Sequence, residues 1–209
     1  MTKLLVLFHS FYGDVYRLAT AVVEGAKDAG ADVTLKQVPE IVPEEALKAA
    51  GALDAKKAFA HIPFASPSEL PEYAGIALGT GTRFGNMSSS MRSFLDQTGK
   101  LWTDGALVGK AASVFASTGT GGGRETTIVS TWFTLAHHGM IIVPAGYVNS
   151  NLKATEDVHG GTPYGATTIQ HASQPRPSEI EREIARSQGR MWAETAIKLS
   201  APSGSTRGR

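Results

Sequence analysis

The sequence has no cysteine among its 209 residues. This absence excludes disulfide bonds, thiolate zinc sites, iron–sulfur clusters and a catalytic thiol, and we expect no metal site. Redox chemistry in this chain would therefore depend on a bound organic cofactor.

An excess of charge of either sign is also lacking, since 20 Lys and Arg residues stand against 19 Asp and Glu. Without a strong overall field, the composition favours neither nucleic acid nor an anionic membrane as a partner. Long apolar runs are missing too, because the first one, 4–8, is shorter than a signal-peptide core or a membrane span. We therefore expect a cytoplasmic protein with no membrane span.

Short apolar runs alternate with segments of helical periodicity along the chain. The alternation predicts an α/β fold, in which a doubly wound, five-stranded parallel sheet has helices on both faces. The 42% hydrophobic content is enough for a substantial core. The predicted strands are 3–8, 32–38, 73–79, 110–117 and 139–146, and the predicted helices are 14–29, 88–97, 124–138 and 178–199.

Two long segments exceed what a minimal fold of this kind needs. The proline-rich segment 39–72 contains a short helical stretch, and the polar segment 147–177 precedes the last helix. We interpret both as long loop insertions in a single domain, 3–199, since loops of this length are commonly functional or interfacial. The Ser, Gly and Arg residues of 200–209 predict a disordered C-terminal tail.

Three polar segments follow three of the predicted strands: HSFYGDV at 9–15, GTGTRFGNMS at 79–88 and STGTGGGRE at 117–125. Because the carboxyl ends of parallel strands meet at one edge, these segments are expected to converge there. Amides at the start of the first helix would suit a phosphate, and the bare glycine loop leaves room for a flat ring held by main-chain groups.

The common nucleotide motifs are absent. The sequence has no GxxxxGK[ST] motif, and Arg124 follows the glycine loop where a dinucleotide fingerprint requires Gly or Ala. A mononucleotide such as FMN fits better, because the sheet order 2-1-3-4-5 of flavodoxin-like folds places FMN at its switch point.

The motifs STGTGGG, GTGTRFGNMSS, TLAHHGM and GGTPYGATTI resemble those of the WrbA-type NAD(P)H:quinone oxidoreductases. The resemblance runs over about 3–199. It implies a flavodoxin-like fold, bound FMN, NADH or NADPH as electron donor, two-electron reduction of a quinone by a ping-pong mechanism, and a homotetramer built as a dimer of dimers.

The resemblance also implies roles for individual residues. Tyr12 and Trp102 would contact the nicotinamide and the quinone, and Arg83 or His137 would help to stabilise reduced flavin. Two departures stand out: Asp14 where a neutral or basic residue is expected, and Gly81 where proline is usual. The implied FMN-binding residues are Ser10, Phe11, Tyr12, Gly13, Asp14, Val15, Thr82, Arg83, Phe84, Asn86, Ser117, Thr118, Gly119, Thr120, Gly121, Gly122 and His137.

Simpler interpretations of the same residues stay open. Ser10 could cap a helix start, Trp102 could be a core aromatic, and His137 could be a histidine at a helix end. Two other function classes share the pattern: a one-electron carrier of the flavodoxin type, and a regulatory binding protein without turnover. The near-zero net charge disfavours the carrier, which usually has an acidic docking surface.

Overall fold

The computed structural model describes residues 1–154, 156, 158–170 and 174–201. Parallel strands form a sheet in the order β2-β1-β3-β4-β5, which confirms the predicted flavodoxin-like order 2-1-3-4-5. A further short strand, β6, pairs with β4. The strands are β1 (Lys3–Phe8), β2 (Asp32–Gln37), β3 (Gly75–Gly81), β4 (Ala111–Thr118), β5 (Ile141–Ile142) and β6 (Thr167–Ile169).

Helices cover both faces of this sheet. Ser88 and Ser178 cap α4 and α7, each accepting a hydrogen bond from a main-chain amide of the first turn. Two short helices and a 3-10 turn lie in the insertion 39–72. The helices are α1 (Asp14–Asp28), α2 (Glu44–Ala49), α3 (Leu53–Lys57), α4 (Ser89–Asp96), α5 (Gly99–Thr103), α6 (Arg124–His137) and α7 (Glu179–Ser200), with 3-10 turns at Pro67–Glu72 and Ser150–Lys153.

The core has two halves, one on each face of the sheet. Alternate residues of β1 point to opposite faces, so Leu4, Val6 and Phe8 pack in the half covered by α1 and α7. Leu5 and Leu7 pack in the half that includes residues of α4 and α6. Burial on both faces explains why β1 reads as a continuous apolar run rather than an alternating one.

The structure differs from the sequence prediction near β5. A strand is predicted over 139–146, but β5 has two residues, and the pairing with β4 passes to β6 at Ala116, Ser117 and Thr118. The segment 147–177 therefore contributes to the sheet instead of only crossing the surface. The three-residue strand is too short for its period of two to be recognised in the sequence.

At the C-terminus, α7 extends to Ser200, and the predicted tail from residue 202 onward lies outside the described residues. In the part of the chain that the structure describes, no helix has both the length and the apolar character needed to cross a bilayer.

Candidate functional site

Three loops meet at one edge of the sheet and form a cleft. Pairing of Phe8 with Gly79, and of Gly81 with Ser117, brings the ends of β1, β3 and β4 side by side. The predicted convergence is therefore observed. The residues that line the cleft are His9, Ser10, Phe11, Tyr12, Asp14, Gly81, Thr82, Arg83, Ser88, Ser117, Thr118, Gly119 and Gln170.

The first loop ends at the start of α1. Gly13 adopts a left-handed conformation with φ of 85°, and no side chain among the described residues caps the helix there. The Ser10 hydroxyl accepts a hydrogen bond from the Gly13 amide at 3.0 Å, so its turn-forming role is present. The first-turn amides of α1 have no intrahelical acceptor, which makes this end of the helix suitable for an anion.

Asp14 is the acidic residue that the sequence places beside this anion site. The Arg17 guanidinium donates to its carboxylate at 2.5 Å. Burial raises the pKa of Asp14 and the ion pair with Arg17 lowers it, with a net rise above the usual value. Because the Arg17 guanidinium pairs with its carboxylate, Asp14 is compatible with a phosphate bound by main-chain amides.

The second loop is a tight turn after β3. Reciprocal main-chain hydrogen bonds of 2.8 and 2.9 Å join Arg83 and Asn86. Phe84 and Gly85 between them have φ of 51° and 78°, and the Phe84 side chain is fully exposed. Non-glycine residues rarely adopt positive φ, so the turn holds Phe84 out into solvent at an energetic cost. The Arg83 guanidinium lies 5.0 Å from the centre of the Phe11 ring, which links the second loop to the first.

The third loop is the glycine-rich segment 117–123. A hydrogen bond joins it to the second loop, because the main-chain amide of Thr82 donates to the Ser117 carbonyl at 2.8 Å. A Cβ on Gly123 would lie 2.9 Å from Thr82 and 3.2 Å from the Gly85 main chain, so a larger residue would push the loops apart. Beside the cleft, an open groove runs between the second and third loops. It is lined by Thr82, Phe84, Gly85, Thr118, Gly119, Thr120, Gly122, Gly123 and Thr126.

The NADPH-dependent FMN reductase family model matches residues 12–155, more than half of the chain. The chain belongs to this family. As a member, it is an FMN-dependent oxidoreductase with a flavodoxin-like fold, and the matched range contains most of the three loops. The family description names NADPH and FMN but no quinone.

Solved structures agree with this family at the level of the fold. A flavodoxin, WrbA-like protein from Agrobacterium tumefaciens is 22% identical with a TM-score of 0.65, covering 95% of this chain and 99% of that one. An oxidoreductase from Corynebacterium diphtheriae is 16% identical with a TM-score of 0.60 over 95% and 98% of the two chains. Flavodoxin 2 from Bacillus cereus, also 16% identical, has a TM-score of 0.57 over 94% and 99%.

The donors of the cleft fit the FMN of this family. Main-chain amides at the start of α1 suit the phosphate, and hydroxyls of Ser10, Thr82 and Ser117 surround the space between the loops. The bare loop 117–122 leaves room for a ring and supplies further amides. Val15, by contrast, has a buried side chain in the core, so only its main chain is available to a ligand.

Trp102, which the resemblance assigns to the substrates, and His137, which it assigns to the flavin, do not line the cleft. Trp102 and His137 line a separate groove between α4, α5 and the end of α6, together with Arg92 and Thr98. Trp102 is 58% exposed, which excludes the core-aromatic interpretation. Beside His137, buried His138 contacts the Thr98 hydroxyl at 2.8 Å through Nε2, and its pKa is lowered by burial and by His137. Asn86 lies in a third groove, with Phe133 and Tyr164.

The implied FMN-binding residues omit four residues that line the cleft: His9, Gly81, Ser88 and Gln170. His9 and Ser88 lie within the quoted segments 9–15 and 79–88, so their position directly at a strand end or helix start was an available signal. Gln170 follows β6, and its main-chain amide donates to the Thr118 carbonyl at 2.8 Å. No local pattern identifies it, because its place depends on the unpredicted pairing of β6 with β4.

Proposed function

We propose that the chain reduces quinones to hydroquinones by two electrons, using bound FMN and NADH or NADPH as donor. The observation that carries this proposal is the continuous cleft and groove formed by three loops at the carboxyl edge of the sheet. Two of the motifs that resemble WrbA-type enzymes, GTGTRFGNMSS and STGTGGG, lie on the second and third of these loops, which favours a quinone as the acceptor.

When bound, FMN would supply the two-electron hydride chemistry that links a reduced nicotinamide to an acceptor. In this proposal the first loop binds the phosphate through amides of 11–15. Main-chain amides of 117–122 would hold the ring edge and stabilise negative charge there, with Arg83 adding a positive charge. The role of the protein is to bind, orient and electrostatically tune the cofactor.

The open groove beside the cleft is the proposed substrate position. Its walls are the exposed Phe84 ring and the small residues Gly119, Thr120 and Gly122. Both nicotinamides and quinones are planar, and a shared slot requires them to bind in turn, which is a ping-pong cycle. Tyr12, 39% exposed on the rim of the cleft, is the proposed aromatic contact from this chain.

We further propose that Trp102 and His137 act on the flavin of a neighbouring subunit. They share one groove, which is lined by none of the described residues that line the cleft. The resemblance gives both residues a place at the active site, so a homotetramer would reconcile their position with that role. A monomer that keeps full turnover per flavin on dilution would contradict the arrangement.

The direct test is anaerobic absorbance of the FMN-loaded protein through one equivalent of NADH and then one of benzoquinone. We expect complete bleaching of the flavin and complete recovery. The flavin of a one-electron carrier would stay oxidised after NADH unless a separate reductase were added. A regulatory protein without turnover would show neither bleaching nor recovery. Recovery with free FMN but not with benzoquinone would replace the quinone with a flavin acceptor.

A further inference from the structure

One carboxylate connects the insertion 39–72 to the first loop of the cleft. Glu40 lies three residues after the end of β2, and its side chain is 16% exposed. Oε2 accepts from His9 Nε2 at 3.0 Å and from Lys56 Nζ at 2.9 Å. Oε1 accepts from the Ser90 hydroxyl at 2.8 Å and from the amides of Ile41 and Val42 at 3.0 Å each.

Two side chains that hydrogen-bond to Glu40, those of His9 and Lys56, connect it to the first loop. His9 is 4% exposed and lines the cleft itself. Lys56, from α3, donates to the main-chain carbonyl of Ser10 at 3.2 Å and lies 5.9 Å from the centre of the Phe11 ring. A cation bound to this carbonyl favours a loop in which carbonyls face away from the cleft and amides face into it.

We propose that Glu40 is a positioning residue for the phosphate of the flavin, acting by fixing His9 within the first loop and holding Lys56 against it. This inference rests on the proposed function, in which that loop binds FMN. Lys56 pairs with Glu40 and Arg17 pairs with Asp14, so neither pair contributes net charge toward a phosphate. The affinity for the phosphate then depends on how precisely the amides of the loop are oriented.

This role predicts an effect confined to the phosphate. Riboflavin has the ring of FMN without the phosphate, so the ratio of the two dissociation constants isolates the contribution of the first loop. A general loss of stability would weaken both flavins together, whereas misorientation of the loop would weaken FMN alone.

The experiment measures the Kd of FMN and of riboflavin by quenching of flavin fluorescence in the full chain and in four variants. For Glu40→Gln we expect the Kd of FMN to rise about tenfold, the usual scale for losing a hydrogen bond to a charged group, with the Kd of riboflavin unchanged. Lys56→Met should shift the same ratio, and Lys56→Arg, which keeps the cation, should restore it.

Glu69→Gln is the matched control. Glu69 lies in the same insertion, pairs with Lys36, and has a side chain 17% exposed, close to that of Glu40. We expect it to leave the FMN to riboflavin ratio unchanged. Equal ratios in Glu40→Gln and Glu69→Gln, or equal weakening of both flavins by Glu40→Gln, would overturn the positioning role. Wild-type protein that binds FMN but does not turn over with NADH and benzoquinone would overturn the proposed function alone.

Discussion

The crossing of α1 and α7 depends on two glycines. A Cβ on Gly25 of α1 would lie 1.9 Å from the Arg186 carbonyl oxygen of α7. A Cβ on Gly189 of α7 would lie 2.2 Å from the Val22 carbonyl oxygen of α1. The main chains of the two helices therefore touch at these positions, and α1 begins at the first loop of the cleft. We predict that Gly25→Ala destabilises the protein.

Two opposing effects set the magnitude. Alanine is favoured over glycine in a helix interior by about 1 kcal/mol. An overpacked core typically costs about 1–3 kcal/mol, and here the upper end applies because the atom approached is main chain, which cannot rotate aside. The net loss is about 2 kcal/mol, which lowers the Tm of a chain of this size by about 4–8 °C.

Thermal unfolding followed by circular dichroism measures this loss. Gly99→Ala is the control, since a Cβ on Gly99 of α5 meets nothing within 4 Å and the backbone there has no positive φ. We expect the control to melt at or slightly above the wild-type temperature. A Gly25→Ala protein that also melts at or above that temperature would refute the close contact between α1 and α7.

Three further predictions concern charge and the site. Burial raises the pKa of Glu40, but hydrogen bonds from His9, Lys56 and Val42 outweigh this effect and hold the pKa well below the usual 4.5. The stability that ionised Glu40 contributes to the fold is therefore complete above about pH 4.5 and is lost as pH falls toward the folded-state pKa. Urea unfolding should show the advantage of wild type over Glu40→Gln shrinking between about pH 5 and about pH 3, and a constant difference would contradict this. Glu181 has no exposed surface and accepts hydrogen bonds from the amides of Gly160, Ile169 and Ser178, from the Thr168 hydroxyl and from Arg176. Glu181→Gln, which leaves buried Arg176 without its anion, should cost about 3 kcal/mol or more, while exposed Glu194→Gln should leave urea stability unchanged. Trp102→Ala should raise the Michaelis constant for quinone or nicotinamide by a larger factor than the Kd of FMN. Unchanged steady-state constants would contradict a role of Trp102 in the active site.

The elements with a strong local pattern were predictable. The apolar run of β1 and the helical spacing of α1 are properties of short segments, and the observed bounds differ from the predicted ones by at most one residue. The convergence of the loops at 9–15, 79–88 and 117–125 also followed, because the order of a parallel α/β sheet places successive strand ends at one edge. The glycine and hydroxyl composition of those loops indicated the class of ligand.

Other parts of the site could not be predicted. Gln170 reaches the cleft because β6 pairs with β4, and three residues carry too little periodicity to show that pairing. Glu40 and Lys56 occupy a proline-rich insertion, where the sequence indicates an irregular loop without indicating what it touches. The separation of Trp102 and His137 from the cleft depends on how α4, α5 and α6 pack together.

Features that the sequence determines and features that only the tertiary structure determines differ in the sequence distance over which their interactions act. Backbone preference, burial period and turn chemistry act over a few neighbouring residues. The sequence alone therefore determined the longer strands and helices, the parallel α/β class and the bare loops that suit a flat anionic ligand. Contacts such as those of Glu40 with His9 and Ser90 join residues 31 and 50 positions apart. Only the packed chain brings such groups within hydrogen-bonding distance, and only there does a carboxylate outside the motifs become part of the site.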